Sequence, residues 1–176
     1  MLKPVIIVRS KRLNLRELSE NDAEYFYDLN SIEKVLRFTG DKPFKSIDKA
    51  RLFLKQYVKT YTLNNMGRWA VIKNSNNSFI GWCGLKKHHD QLIDLGFRFY
   101  PKYWNQGFAT EAAYKSLHYG FSNLNIKRII ANVQPQNKAS IRVIEKLGFE
   151  YTGTSIKKRD TWNSYVIEKD RFFDLH

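Results

Sequence analysis

Runs of β-forming apolar residues occupy the middle of the chain and predict three consecutive strands. These runs are residues 68–73, 79–87 and 92–100, with turn-forming polar residues at 74–77 and 89–90 between them. In the third run the side chains alternate between two faces: Ile93, Leu95, Phe97 and Phe99 share one, and Asp94, Gly96 and Arg98 share the other. The three runs predict an antiparallel meander.

Shorter strands and helically spaced apolar residues surround this meander. Before it the pattern predicts a strand, two short helices and a long helix capped by Ser46, over residues 12–16, 23–29, 32–38 and 47–63. After it the pattern predicts a helix, a strand, a helix capped by Asn137 and two final strands, over residues 106–122, 127–133, 138–147, 150–157 and 162–169. This order predicts a mixed α/β (α+β) domain with one principal sheet.

Composition narrows the class of protein. The chain has 176 residues, of which 43% are hydrophobic and 15% aromatic, so it suits one folded domain with a real core. The single cysteine, Cys83, excludes an intramolecular disulfide, and no cysteine or histidine cluster has zinc spacing, so no metal is expected. No apolar run approaches the roughly 20 residues that span a bilayer. The apolar stretch 4–8 is too short for a signal-peptide core, and we expect a cytoplasmic protein with a short extension over 1–8 and one domain over 9–176.

The charge balance indicates an anionic partner. Lysine and arginine total 30 against 17 acidic residues, giving a formal net charge of +13. Between Lys34 and Lys59 eight basic residues stand against two acidic ones, a local excess of +6. Two interpretations of this region stay open: a solvated helix surface, or one wall of a site for an acidic partner.

A strand that runs through a short turn into a helix, residues 95–112, carries the clearest chemical signal. Backbone N–H groups at a helix start lack intrahelical partners and attract anions, and Gly107 and Ala109 are small enough to let a phosphate approach. The signal is weak alone, because many helices follow a strand and a glycine. Neither the dinucleotide pattern G-x-G-x-x-G nor a Walker A loop occurs.

Two ordered motifs resemble those of the GCN5-related N-acetyltransferases, in particular the ribosomal-protein alanine N-acetyltransferase (RimJ/RimL-like) branch. The first is Pro101-Lys102-Tyr103-Trp104-Asn105-Gln106-Gly107-Phe108-Ala109-Thr110-Glu111-Ala112, and the second runs from Asn137 to Phe149. The opening Arg12-Leu13-Asn14-Leu15-Arg16 and the closing Trp162-Asn163-Ser164-Tyr165 also look like this branch. The resemblance covers roughly residues 9–170.

The resemblance implies a fold and a cosubstrate. It implies about seven mostly antiparallel strands with flanking helices, in which the strands near 92–100 and 127–133 splay apart to admit acetyl-coenzyme A. The pantetheine arm would pair with backbone of Phe97, Arg98 and Phe99. The pyrophosphate would lie on the loop and first helical turn, at Asn105, Gln106, Gly107, Phe108, Ala109 and Thr110, and Asn137 would meet the pantetheine or thioester. Trp104 stands where the family usually has arginine or glutamine, so the resemblance implies no side-chain contact to phosphate there.

The implied reaction is direct attack of an amine on the acetyl thioester in a ternary complex. A protein α-amine has a pKa of about 7.7–8.0, so no strong base is needed, and a backbone N–H near residues 97–99 is the expected oxyanion donor. Many relatives carry a tyrosine acid where this chain has Ile144. Ser140 is therefore a candidate donor to the departing thiolate, or only a first-turn helix residue.

Further charged and aromatic residues are candidates for the site or for structural roles. Asp94 is a candidate base or water relay, or a solvated carboxylate. Glu111 is expected to support the loop rather than catalyse. Arg98 contacts cofactor, acceptor or a carboxylate, and Trp162 and Tyr165 line the acceptor side or belong to the core.

Three functions are compatible with the sequence. The first is acetylation of a protein N-terminus, with an acidic or ribosomal protein as acceptor. The second changes the acceptor to a polyamine, amino acid or aminoglycoside. The third is a non-catalytic basic module that binds RNA or the ribosome, although no RNA-recognition signature is present. A homodimer is left open, and no membrane partner is expected.

Overall fold

The computed structural model describes residues 5–157 and 160–176, and an eight-stranded sheet runs through their centre. The strands are β1 (Ile6–Arg9), β2 (Leu13–Arg16), β3 (Arg68–Lys73), β4 (Ser78–Lys87), β5 (Ile93–Phe99), β6 (Arg128–Val133), β7 (Glu150–Lys157) and β8 (Asp160–Glu168). The helices are α1 (Ala23–Leu29), α2 (Glu33–Leu36), α3 (Ile47–Tyr57), α4 (Lys59–Asn64), α5 (Phe108–Ser122), α6 (Lys138–Lys146) and α7 (Lys169–Leu175). Short 3-10 helices cover Glu20–Asp22 and Pro101–Tyr103.

The strand order is β1-β2-β3-β4-β5-β6-β8-β7, and every neighbouring pair is antiparallel except β5 and β6. The predicted meander is confirmed by β3, β4 and β5. Because β5 and β6 run parallel, the carboxyl ends of both strands lie at one edge of the sheet. The loops that follow these two strands therefore begin side by side.

Helices cover both faces of the sheet. On one face α5 packs against β4 and β5, where the buried Cys83 Sγ lies 3.5 Å from Ser116 Oγ and the ring of Trp69 meets Tyr119 edge-on. On the other face Arg98 contacts Asn30, at the end of α1, and α1 packs against α3. The apolar core on both sides is fully buried at positions such as Leu13, Leu54 and Leu117.

The mixed α/β fold predicted from the sequence is confirmed, with differences at its margins. The sheet has eight strands among the described residues rather than about seven, because β1 pairs with β2. The strand β1 begins at Ile6, inside the segment 1–8 that was expected to be an extension. The long helix predicted to residue 63 is divided at Val58 into α3 and α4. The closing α7 was not predicted. No helix of the described residues is long and apolar enough to cross a membrane.

Candidate active site

The sheet opens between β5 and β6. Across the described residues these strands are joined by one pair, Asp94 with Ile130, near the amino-terminal end of β5. Beyond that pair β5 and β6 form no further ladder pair on the way to the edge where α5 and α6 begin. The unpaired part of β5 reaches from Asp94 to Phe99, about 16 Å along an extended strand, and we call the Phe99 end the wide end of the opening.

The pairing of β4 with β5 decides which backbone groups face this opening. Tyr100 N donates to Ile80 O at 3.1 Å, which makes residues 100 and 80 a hydrogen-bonded pair. Since such pairs alternate in an antiparallel ladder, Arg98 uses its backbone groups on Trp82, whereas Phe97 and Phe99 point theirs toward β6. Phe97 and Phe99 thus present backbone to the opening as the sequence led us to expect. The prediction that the Arg98 backbone pairs with the pantetheine arm does not fit this register, because the Arg98 N–H and C=O face β4.

The start of α5 lies beside the wide end of the opening. Asn105 and Gly107 have left-handed backbones, with φ of 58° and 77°, and the first intrahelical hydrogen bond is donated by Glu111 N to Gly107 O at 3.0 Å. The N–H groups of Gly107, Phe108, Ala109 and Thr110 consequently have no acceptor within the helix. These amides, at the positive end of a 15-residue helix, form a cradle for an anion.

A charged clamp holds this loop from the side of β2. Arg12 Nε lies 2.6 Å from Glu111 Oε2, Arg12 Nη1 donates to Gln106 O at 2.9 Å, and Ser10 Oγ donates to Glu111 Oε1 at 2.7 Å. Burial alone would raise the pKa of Glu111, but the hydrogen bonds from Ser10 and Arg12 and the charge of Arg12 lower it below its usual value. Glu111 thus holds Arg12, which in turn bonds the loop at Gln106, as the predicted supporting role requires.

The side chain of Trp104 is hydrogen-bonded to the backbone at the end of β5. Its indole Nε1 donates to Phe99 O at 2.8 Å, which occupies the last carbonyl of β5. The expectation that Trp104 is no substitute for a phosphate-binding arginine is consistent with this contact. Among the described residues, Phe97 N–H, Phe97 C=O and Phe99 N–H face the opening and have no partner in the β5–β6 ladder.

Asn137 and Ser140 lie at the same edge of the sheet as the α5 loop, because both follow the carboxyl end of β6. Asn137 caps α6 by accepting from Ser140 N at 3.2 Å. Ser140 is half-buried in the first turn, with its amide committed to that cap. The 105–110 loop follows the carboxyl end of β5, and Asn137 and Ser140 follow the carboxyl end of β6, so these segments begin at the same edge of the sheet.

Asp94 is neither a free base nor a solvated carboxylate. Its side chain is 16% exposed; Oδ2 lies 2.6 Å from Arg68 Nη2, and Oδ1 lies 2.8 Å from His88 Nε2. Arg68 Nη1 also donates to the carbonyl oxygens of Asp94 and Gly84. Gly96 leaves room for this guanidinium, since a Cβ there would lie 2.7 Å from Arg68 Cζ.

Arg98 and Trp82 lie on the face of the sheet opposite α5, and we call this pair the Arg98 floor. The Arg98 guanidinium pairs with Asp41 at 2.7 Å, donates to Asn30 Oδ1 and lies over the ring of Trp82. Burial lowers the pKa of Arg98, and Asp41 opposes that shift. Two buried donors on this floor, Arg98 Nε and Trp82 Nε1, have no hydrogen-bond partner among the described residues.

The two aromatic residues of the closing motif, Trp162 and Tyr165, differ in burial. Tyr165 is buried in the core, with its ring 5.6 Å from that of Tyr151. Trp162 is half-buried and lies near Gly40, where a Cβ would approach Trp162 Cζ2 to 3.5 Å. The loop between α2 and α3 therefore meets the start of β8 beside the Arg98 floor.

Sequence reasoning missed the residues that act through long-range pairs. Arg12 and Ser10 lie about 100 positions from Glu111, and Asp41 lies 57 positions from Arg98. No spacing rule connects such positions in one sequence. Within the described residues no group of three histidine, cysteine or acidic side chains could hold a metal ion.

Comparison with known proteins points to one family. Residues 12–150 match the family model described as an acetyltransferase (GNAT) domain. The uncharacterized N-acetyltransferase YoaA of Bacillus subtilis is 32% identical over 151 residues, covering 84% of this chain and 84% of that protein. The crystal structure of a GNAT-family acetyltransferase from Bacillus anthracis superposes with a TM-score of 0.80 at 28% identity, covering 93% of this chain and 98% of that one.

Two more distant structures share the fold. The ribosomal-protein-S5-alanine acetyltransferase of Vibrio fischeri has a TM-score of 0.80 at 17% identity, covering 94% of this chain and 97% of that one. The spermidine N-acetyltransferase of Vibrio cholerae, in complex with CoA and spermine, has a TM-score of 0.80 at 20% identity, covering 93% and 99%. At these identities the likeness shows the architecture alone.

Proposed function

The chain belongs to the GNAT N-acetyltransferase family, and from that premise we propose that it transfers an acetyl group from acetyl-CoA to the α-amine of a protein N-terminus with an acidic sequence. The observation that carries the first half is the opening between β5 and β6, joined at one residue pair and bordered by the free amides of the α5 loop. The class of acceptor rests on the resemblance of the two sequence motifs to the ribosomal-protein branch, and the Vibrio fischeri enzyme shares the fold alone.

The residues at the opening fit acetyl-CoA. Phe97 and Phe99 offer backbone groups that an extended pantetheine could pair with as an added strand would. The amides from Gly107 to Thr110 suit the pyrophosphate, since Gly107 has no Cβ and the helix dipole favours negative charge. When bound, acetyl-CoA supplies the activated acetyl thioester. This chain's own part is to align that group with the amine and exclude water from both.

We propose that Ser140 donates its hydroxyl hydrogen toward the departing sulfur, because it lies in the first turn of α6 beside Asn137. We propose Asp94 as a relay rather than a primary base. Its two oxygens are already engaged by Arg68 and His88, and the half-exposed His88 connects it to solvent. If Asp94→Asn leaves the pH profile of kcat/KM unchanged, Asp94 has no part in proton transfer.

The acceptor proposal also rests on charge. All eight basic residues between Lys34 and Lys59 are exposed, whereas the two acidic ones are engaged, Asp41 by Arg98 and Asp48 by Arg51. These residues lie on α2, α3, α4 and their connections, next to the Arg98 floor. A local excess of positive charge attracts an acidic chain and repels a polycation.

Acetylation of a polyamine is nevertheless the second candidate, because spermidine N(1)-acetyltransferase of Vibrio cholerae is 22% identical over 168 residues, covering 90% of this chain.

Binding of CoA tests the first half of the proposal. Thermal unfolding in the presence of CoA should show a rise in Tm, since a ligand at 100 times its Kd adds about 2.7 kcal/mol. Isothermal titration with CoA gives the Kd directly. If millimolar CoA produces neither a Tm shift nor heat of binding, the proposal is wrong.

Thiol release with a panel of amines tests the second half. The panel contains peptides with acidic, neutral and basic N-terminal sequences, spermidine and an aminoglycoside. Cys83 does not disturb the assay, because burial raises its pKa to about 12 and keeps the thiol protonated. The acidic peptide should give the highest kcat/KM. A preference for spermidine would replace the peptide with a small-molecule acceptor.

A further inference from the structure

Arg12 contacts the phosphate-binding loop from outside it. Its side chain starts at the amino-terminal end of β2, and its guanidinium lies over the ring of Phe108, with Cζ 4.4 Å from the centroid. Arg12 N also donates to Glu111 Oε1 at 3.1 Å. Together with the Nε and Nη1 contacts, these interactions fix the guanidinium plane against the loop.

The contact that matters is the one to Gln106 O. In a trans peptide the C=O of Gln106 and the N–H of Gly107 point in opposite directions. Because Arg12 holds the oxygen on its own side, the Gly107 N–H points to the other side of the loop. In the sheet, β2 is separated from β5 by β3 and β4, and the opening lies beyond β5, so the Arg12 side of the loop is remote from the opening.

The loop needs such a restraint. Asn105 and Gly107, on either side of Gln106, both have positive φ, and glycine populates positive and negative φ about equally. Rotation of the 106–107 peptide would therefore meet little intrinsic resistance. It would turn a carbonyl oxygen toward the anion cradle in place of an N–H, which would oppose a phosphate.

We propose that Arg12 is a positioning residue for acetyl-CoA, which orients the Gln106–Gly107 peptide so that the Gly107 N–H faces the pyrophosphate. This inference rests on the proposed function. Glu111 holds Arg12 in place, and Arg12 lies in van der Waals reach of Gly107, since a Cβ there would lie 3.4 Å from Arg12 Nη2. The chain thereby uses an arginine that directly precedes β2 to organise the backbone of the loop.

The test compares Arg12→Ala and Arg12→Lys with Arg128→Ala. Arg128 is a matched control, because its Nε lies 2.6 Å from Glu168 Oε1 in an exposed pair at the other end of β6. Isothermal titration is carried out with CoA, with dephospho-CoA, which keeps the pyrophosphate, and with pantetheine, which lacks it. Thermal unfolding of each variant checks that the fold is retained.

We expect Arg12→Ala to weaken CoA and dephospho-CoA by about tenfold or more and to leave pantetheine unchanged. Arg12→Lys should restore part of the affinity, because one ammonium can reach Gln106 O or Glu111. In turnover, KM for acetyl-CoA should rise while kcat at saturation stays near the wild-type value. Equal CoA affinity of wild type and Arg12→Ala would overturn the role of Arg12.

Glu111→Gln separates positioning from direct contact with phosphate. If Arg12 acts by orienting the peptide, loosening its hold on Glu111 should weaken CoA. If Arg12 instead contacts phosphate, removal of the competing carboxylate should strengthen CoA, and that result would overturn the proposal. If Arg12→Ala weakened the binding of CoA but not that of dephospho-CoA, the proposal would also be overturned. Arg12 would then act on the 3′-phosphate, which dephospho-CoA lacks. A wild-type protein that fails to bind CoA would overturn the proposed function as well.

Discussion

The indole Nε1 of Trp104 donates a hydrogen bond of 2.8 Å to the carbonyl oxygen of Phe99, which ties the last residue of β5 to the loop before α5. This bond adds a side-chain tie between the strand that offers backbone to the opening and the loop that offers amides.

Trp104→Phe should loosen this connection while keeping an aromatic ring. Loss of one neutral hydrogen bond costs about 0.5–1.5 kcal/mol, so we expect a small decrease in Tm and a rise in KM for acetyl-CoA of up to about tenfold. Steady-state kinetics at saturating acceptor measures the rise. An unchanged KM would show that the Phe99 carbonyl needs no partner.

Gly107→Ala should weaken CoA binding in addition to destabilising the fold. Its φ of 77° is unfavourable for alanine, at a cost of about 1–3 kcal/mol, and relief of that strain would change the backbone that presents the amides of the cradle. Urea unfolding and calorimetric titration with CoA measure the two effects.

Gly153→Ala is the control for backbone strain. Gly153 has a φ of 144° on β7, and nothing lies within 4 Å of the position of its Cβ. Both variants should lose stability, but only Gly107→Ala should lose CoA affinity. Equal affinity losses would assign the effect to general destabilisation.

Ser140→Ala should lower kcat at saturating substrates by about tenfold or more if the hydroxyl donates to the departing sulfur. Ser140→Thr keeps a hydroxyl and should retain most of the activity. The α6 cap is preserved in both variants, because the bond to Asn137 comes from the backbone amide of residue 140. Wild-type kcat in Ser140→Ala would exclude this residue as the acid.

Charge reversal of Lys49, Lys55 and Lys59 to glutamate should raise KM for an acidic peptide several-fold. The effect should shrink at high salt, because exposed charges are screened over about 10 Å at 0.1 M ionic strength. All three lysines are exposed on α3 and α4.

The matched control reverses three exposed lysines elsewhere, Lys87, Lys127 and Lys146. This variant has the same net charge as the first and should keep the wild-type KM. If the α3–α4 variant leaves KM unchanged for every working acceptor, the basic residues there form a solvated surface only.

The Glu111 clamp should give the protein an acid-sensitive contribution to stability. The pKa of Glu111 is lowered in the fold, so its charged form is favoured there relative to the unfolded chain. Its contribution is therefore fully present above the unfolded value of about 4.3 and is lost as pH falls through the lower, folded value. Urea unfolding of wild type and Glu111→Gln should show a stability difference that is constant near neutral pH and decreases below about pH 4. A difference independent of pH would contradict this.

The sequence predicted the centre of the molecule better than its margins. The meander and the helix starts at Gly107 and Asn137 follow from local alternation, capping residues and glycine, which act over a few positions. The strand β1 was not predicted, because four consecutive apolar residues, Val5 to Val8, show no alternation. Its place in the sheet is fixed by pairing with β2. The break at Val58 lies inside a continuous apolar stripe.

The site shows the same division. Phe97, Phe99 and the 105–110 loop could be located because their roles depend on backbone geometry that local motifs encode. The partners of Asp94, Arg98 and Glu111 could not, because each comes from a distant segment that the fold brings close. The direction of the Arg98 backbone follows from strand register, which one sequence does not specify.

The single pair between Asp94 and Ile130 divides the described sheet into two parts, β1 to β5 and β6 to β8, which are joined at one residue pair. Acetyl-CoA bound between them would connect the two halves of the sheet, because its hydrogen bonds would replace those that β5 and β6 do not make with each other. The free energy of unfolding would then depend on the concentration of acetyl-CoA, by the same mass action that couples any ligand to folding. In a cell short of acetyl-CoA and CoA, the enzyme would become scarcer as well as idle.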